Sequence, residues 1–215
     1  MRPGFRVFPK LPVSYLNFPR RRFIASLGVS VLALAACSRT SSPAFNGIDL
    51  TDATFGKDFS LTDADGHPRR LADYGGKVVM MFFGFTQCPD VCPTSLVRAS
   101  EIRKLLGEDG DRLQVLFVTV DPERDTPEVL KAYAAAFDPS FVGLSGDLQR
   151  TKETAEAFRV YYAKVPTGSS YTMDHTSLTY VFDPKGKLRL ALRHEQSAQE
   201  CVADIKTLLA GEGES

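Results

Sequence analysis

Lys77-Val78-Val79-Met80-Met81-Phe82-Phe83-Gly84-Phe85-Thr86-Gln87-Cys88-Pro89-Asp90-Val91-Cys92-Pro93 decides the architecture of this chain. Its first half is an almost unbroken apolar run. Such a run fits a strand buried on both faces, as in a sheet covered by helices. Its second half leads into helical periodicity over 93–106, where Leu96, Val97, Ile102, Leu105 and Leu106 recur and Gly107 and Gly110 mark the end.

The same alternation continues downstream. Residues 113–120 read as a second buried strand. Thr126 caps a helix that has Pro127 at its first position and runs to Phe137. A short strand over 141–144, a helix over 148–158 and two strands over 177–182 and 188–192 follow, the last two flanking the turn Asp183-Pro184-Lys185-Gly186. An amphipathic helix over 197–209 closes the pattern. Upstream, 58–62 and 69–71 flank Asp63-Ala64-Asp65-Gly66 and read as a hairpin. The order predicts an α/β fold, a central sheet with helices on both faces plus an N-terminal β-hairpin. There is no internal repeat, and one domain over 51–211 is large enough to bury a core.

The N-terminus has a different character. The chain has 26 basic and 26 acidic residues, and this balance gives no sign of a nucleic-acid binder. Residues 1–36 nevertheless carry Arg2, Arg6, Lys10, Arg20, Arg21 and Arg22 and no acid. A basic head followed by the apolar run 23–36 reads as a signal peptide over 1–36. The run is short of the roughly 20 residues that span a bilayer comfortably. Leu34-Ala35-Ala36-Cys37 resembles a bacterial lipobox, with Cys37 as the lipidated residue, and Arg20-Arg21-Arg22-Phe23-Ile24 resembles a twin-arginine export motif. Residues 37–50 then read as a tether. The expectation is an exported bacterial protein on the periplasmic face, held to the membrane as a lipoprotein.

With Cys37 assigned to lipid, Cys88, Cys92 and Cys201 remain in a disulfide-permissive compartment. Two close cysteines and a distant one suggest a functional pair and a spare. The pair lies where a strand ends and a helix begins, and i, i+4 spacing places both sulfurs on one side of a first helical turn. The positive end of the helix favours thiolate, the form that ligates metals or attacks disulfides. Dithiol redox centres use Cys-x-x-Cys; the extra residue here leaves room for a metal ion. Two thiolates favour copper(I). A third ligand is available in His175, which precedes a strand whose leading loop faces the cysteine helix in a sheet of this order. His67 and His194 read as solvated. A purely redox role for Cys88 and Cys92, as attacking and resolving thiols, stays open beside the metal role.

Phe83 to Thr94 resembles the signature of the Sco/SenC family of copper-binding, thioredoxin-like proteins. Val118-Thr119-Val120-Asp121-Pro122-Glu123-Arg124-Asp125-Thr126-Pro127 is similar to that family's Asp-Pro-x-x-Asp-Thr-Pro segment, and Tyr171-Thr172-Met173-Asp174-His175-Thr176 to its histidine segment. The resemblance implies a thioredoxin-like fold, and a copper ion, Cu(I) or Cu(II), bound by Cys88, Cys92 and His175. It implies a metallochaperone that serves the binuclear copper centre of cytochrome c oxidase, with that oxidase's copper-bearing subunit and a copper-donor protein as partners. The alternative within the same resemblance is a thiol–disulfide oxidoreductase that keeps partner cysteines reduced. Gln87 stands where many members have histidine.

Other conspicuous residues have plain readings. Asp121 and Asp125 brace the loop into the helix at Pro127. Asp90, between the cysteines, reads equally as a solvated turn residue or as a charge that steers a partner's positive group. Met80 and Met81 are core packing, while Met173 lies close to His175 in sequence. Cys201 is a buried, inert thiol. Lys152, Glu153 and Glu156 form a solvated helix face.

Overall fold

The computed structural model describes residues 44–211. The expected signal peptide over 1–36, the expected lipobox Cys37 and the first part of the expected tether lie outside the described residues.

Seven consecutive residues of β4 (Val78–Gly84) are fully buried. That is the expected outcome of an apolar run with no polar alternation, because both faces must be covered. β4 pairs in parallel with β5 (Leu113–Thr119), and β5 with β6 (Val142–Ser145). Parallel neighbours need crossovers, and α1 (Val91–Leu105) and α2 (Pro127–Phe137) supply them. On the other side of β4 lie β9 (Thr179–Phe182) and β10 (Leu188–Leu192), both antiparallel to their neighbours. With β1 (Ile48–Asp49), β2 (Leu61–Asp63) and β3 (Pro68–Arg69) the sheet has eight strands, ordered β1-β10-β9-β4-β5-β6-β2-β3. The hairpin expected near 58–71 is β2–β3, set at the edge of the main sheet.

The two faces of β4 are packed by different helices. Gly84 faces Cys92 of α1, and Phe117 of β5 packs against Tyr133 of α2. Phe83 points the other way, to Phe158 at the end of α3 (Leu148–Ala157). α4 (Ala198–Ala210) starts with a capping box in which Ser197 and Glu200 satisfy each other's backbone N–H, and it packs on α1. Thr126 caps α2 and Pro127 opens it, as its sequence requires.

Three details depart from the sequence-based expectations. Residues 44–50 do not behave as free tether: the Asn46 and Gly47 backbone N–H groups donate to buried Asp204, and Ile48 pairs with Ala191. α1 begins at Val91, so Cys88 lies in the turn before the helix and only Cys92 is helical. Finally, β7 (Tyr162–Thr167) and β8 (Ser170–His175) form a two-stranded hairpin outside the main sheet. His175 ends β8; the expectation of a plain loop before the next strand missed this hairpin.

Candidate metal centre

The turn after β4 is fixed before any metal is considered. The Cys88 N–H donates to the carbonyl of Phe85. Buried Asp125 accepts from the Thr86 N–H at 3.1 Å, the Thr86 hydroxyl at 2.6 Å and the Thr119 hydroxyl at 2.6 Å. Asp125 therefore ties the cysteine turn to the end of β5, a larger role than bracing α2. Its partners at Thr86 and Thr119 are 39 and 6 residues away, which is why local reading could not identify them.

Cys88 is half-buried and Cys92 fully buried. The Cys92 N–H points at Cys88 Sγ, 3.5 Å away. Asp90 occupies the N-cap position but its side chain makes no capping bond. The Cys88 sulfur thus receives the Cys92 N–H, one of the free donors at the positive end of α1. The Cys92 thiol's hydrogen bond to Cys88 lowers the Cys88 pKa from 9.0 to about 5, against the cost of burial and with help from the Asp90 and Cys92 N–H groups. The same interaction, with burial, pushes the Cys92 thiol strongly up. One proton is shared by two sulfurs and resides on Cys92.

His175 completes the cluster. Its Nε2 is 3.4 Å from Cys92 Sγ. Its Nδ1 is 3.0 Å from the Thr176 carbonyl, which can only accept. Nδ1 therefore carries the proton in the neutral ring, and the Nε2 lone pair faces the sulfurs. The rings of Phe82 and Phe85 stand edge-on to the imidazole, with centroids 6.0 and 5.8 Å away, and hold its orientation. Cys88, Cys92 and His175 bring their ligand atoms within 4.8 Å of one another, and this is the one group of three such side chains with metal-binding spacing among the described residues. Two sulfurs and an imidazole on that scale suit a soft or borderline ion such as copper or zinc.

Gly84 makes the close approach possible. A Cβ there would lie 2.8 Å from Cys92 Sγ and 2.9 Å from both the Phe117 and Phe82 rings. The other two histidines and Cys201 are not part of the cluster. His67 is exposed beside Asp63. His194 is half-buried rather than solvated, resting on the Thr94 and Ser95 hydroxyls of α1. Met173 is buried in β8. Cys201 is fully buried, and desolvation pushes its thiol up to about 11. Arg124, which donates to the Gln87 side chain and to the Tyr171 carbonyl, and Tyr171 on β8 are the neighbours of the site that residue-type reasoning missed. The charge alternation Asp121-x-x-Arg124-Asp125 was the available clue.

The SCO1/SenC family model matches residues 49–210, nearly the whole described region. A SCO2-like protein of Rickettsia felis is 36% identical over 186 residues, covering 84% of this chain and 91% of the relative. Among solved structures, copper-bound ScoI of Bradyrhizobium japonicum is 42% identical with a TM-score of 0.67, covering 72% of this chain and 99% of that one. Copper-bound yeast Sco1 is 35% identical with a TM-score of 0.65, covering 71% and 87%. A shared thioredoxin-like fold, a matching family model and relatives that align over most of their length lead to one assignment: the chain belongs to the SCO1/SenC family.

Proposed function

We propose that this protein binds one copper ion through Cys88 Sγ, Cys92 Sγ and His175 Nε2 and passes it to a partner protein by ligand exchange. The observation that carries this is the convergence of those three atoms within 4.8 Å, with the imidazole lone pair already turned toward the sulfurs. Copper(I) is held mainly by the thiolates; copper(II), the harder ion, depends more on the imidazole. Cys88 stands half-open at the surface, so an incoming ligand can reach the ion from that side. The family resemblance supports the copper-bearing subunit of cytochrome c oxidase as acceptor and assembly of its binuclear centre as the purpose. The export signal over 1–36, lipidation at Cys37 and attachment of the 51–211 domain to the periplasmic face of a membrane complete the proposal, and they rest on sequence alone.

The test is copper stoichiometry and affinity of the purified, reduced protein and of His175→Ala. One copper per chain is expected, with affinity for copper(II) reduced at least about tenfold in the variant. If His175→Ala binds both copper states as tightly as wild type, the three-ligand site is wrong.

A second reading has its own observation, the unequal thiols. In a thiol–disulfide exchange, Cys88 thiolate attacks one sulfur of a partner disulfide and the other leaves as thiolate. Cys92 then loses its proton toward His175 Nε2 and attacks Cys88 Sγ, releasing the reduced partner and leaving Cys88–Cys92 oxidised. Rapid reduction of protein disulfides by a wild-type protein that takes up no copper would put this reading first.

A further inference from the structure

The candidate ligands come from two pieces of structure with different support. Cys88 and Cys92 sit on the main sheet's β4–α1 turn. His175 sits on the β7–β8 hairpin, which shares no ladder with that sheet. An isolated two-stranded hairpin is marginal in water, so side chains must dock it.

Arg124 does this from a third segment. Its Nε donates to Asp121 Oδ2, and its Nη1 donates to Gln87 Oε1 at 3.2 Å and to the Tyr171 carbonyl at 2.8 Å. Its guanidinium carbon lies 3.7 Å from the centroid of the Tyr171 ring. The Tyr171 hydroxyl closes the circuit by donating to Asp121 Oδ1 at 2.8 Å. Gln87 is the residue before Cys88, and Tyr171 shares strand β8 with His175. The Arg124 side chain is only 17% exposed and that of Asp121 is 0% exposed, so the Arg124–Asp121 pair is shielded from water, while the bond to Gln87 lies at the surface.

We infer that Arg124 is a positioning residue that latches the His175 hairpin to the Cys88 turn, and so sets the preference of the site between copper(II) and copper(I). The inference rests on the three-ligand copper site proposed above. Copper(I) finds its two thiolates on one turn, whether or not the hairpin is docked. Copper(II) needs the imidazole too, and its apparent affinity scales with the fraction of molecules in which the hairpin is docked. Weakening the latch therefore costs copper(II) more than copper(I). A general loss of structure would weaken both.

Arg124→Met keeps the length and packing of the stem and removes every donor. Its affinities for copper(I) and copper(II) are measured on the full chain by competition with chelators, and amide hydrogen exchange is followed on the metal-free protein. Expected are a loss on the order of tenfold for copper(II) and less than about threefold for copper(I). Each tenfold change in that ratio raises the one-electron potential of bound copper by about 59 mV. Amides of 162–175 exchange faster while those of β4 and β5 do not change. Equal weakening of both copper states, or wild-type values for both, overturns the latch. If wild type binds no copper, the site is wrong, and the exchange of 162–175 still decides whether Arg124 docks the hairpin. Should Arg124→Met fail to fold, Gln87→Leu, an exposed change that frees one end of the latch, takes its place. A smaller shift in the same direction is expected there, and an unchanged copper(I) to copper(II) ratio overturns the inference.

Discussion

Cys92→Ala should move the ionisation of Cys88 without greatly changing how fast Cys88 reacts at neutral pH, and this pair of outcomes tests the shared-proton description of the site. In wild type the Cys92 thiol is the largest influence holding Cys88 near pH 5 instead of 9.0. Removing it leaves only the backbone donors of α1 and His175, so the midpoint rises toward 9.0. For a full return, the thiolate fraction at pH 7 falls from about 99% to about 1%, roughly a hundredfold. Thiolate nucleophilicity grows with basicity with a slope of about 0.45, so four pKa units return about sixtyfold. The rate at pH 7 then changes by only about twofold, while the high-pH plateau rises by tens of fold. The assay is iodoacetamide labelling of Cys88 between pH 4 and 10, located by peptide mass; Cys201 is fully buried and stays silent. A wild-type midpoint near 8 or 9, or a Cys92→Ala profile that overlays on the wild-type one, would refute the description.

Gly84→Ala places a methyl group 2.8 Å from Cys92 Sγ and 2.9 Å from two buried aromatic rings. Overpacking of that kind costs about 1–3 kcal/mol, or a fall in Tm of about 2–12 °C for a domain of this size; copper affinity should fall with it because Cys92 must shift, and calorimetry with copper titration measures both. Asp125→Asn keeps the shape but lacks one acceptor oxygen and the negative charge that serve three donors from Thr86 and Thr119. Urea unfolding should show a loss of about 2–3 kcal/mol, and wild-type stability would show that the buried carboxylate does not tie down the cysteine turn.

What was legible in the sequence was what local physics controls. β4 announced itself because no polar residue interrupts it, and α2 because Thr126 and Pro127 are a cap and a first-turn residue at once. Cys88, Cys92 and His175 stood out by residue type, and the fold brings them together. The β7–β8 hairpin was missed because Pro166 interrupts its first strand in a pattern that demotes strands; the two turn residues Gly168-Ser169, with Gly168 at positive φ, were the signal that was available. The roles of Asp125, Arg124 and Tyr171 were hidden for a different reason. Each acts through partners dozens of residues away, such as Thr86 for Asp125 and Tyr171 for Arg124, and no window of sequence contains both ends. The place of Cys88 outside the helix was a matter of register: α1 starts at Val91, three residues past Cys88, which shifts the first cysteine from the expected first turn into the loop before it.

That shift alters the chemistry more than its size suggests. Two cysteines within one helical turn would compete for the same N–H donors and ionise as near equals. Here one sulfur receives the donors and the other is buried behind it against Gly84. The first is a thiolate at neutral pH, and the second keeps its proton until something takes it. Metal binding requires both sulfurs deprotonated, so at neutral pH an arriving ion has a single thiol proton to displace, that of Cys92. His175 Nε2, 3.4 Å away with its lone pair free, is placed to receive that proton or to follow it with a bond to the ion. The same lone pair would serve Cys92 in disulfide exchange. The site's two candidate activities therefore begin at one atom, Cys88 Sγ, and are gated at one other, Cys92 Sγ, and what separates them is whether a metal ion or a partner disulfide reaches the exposed sulfur first.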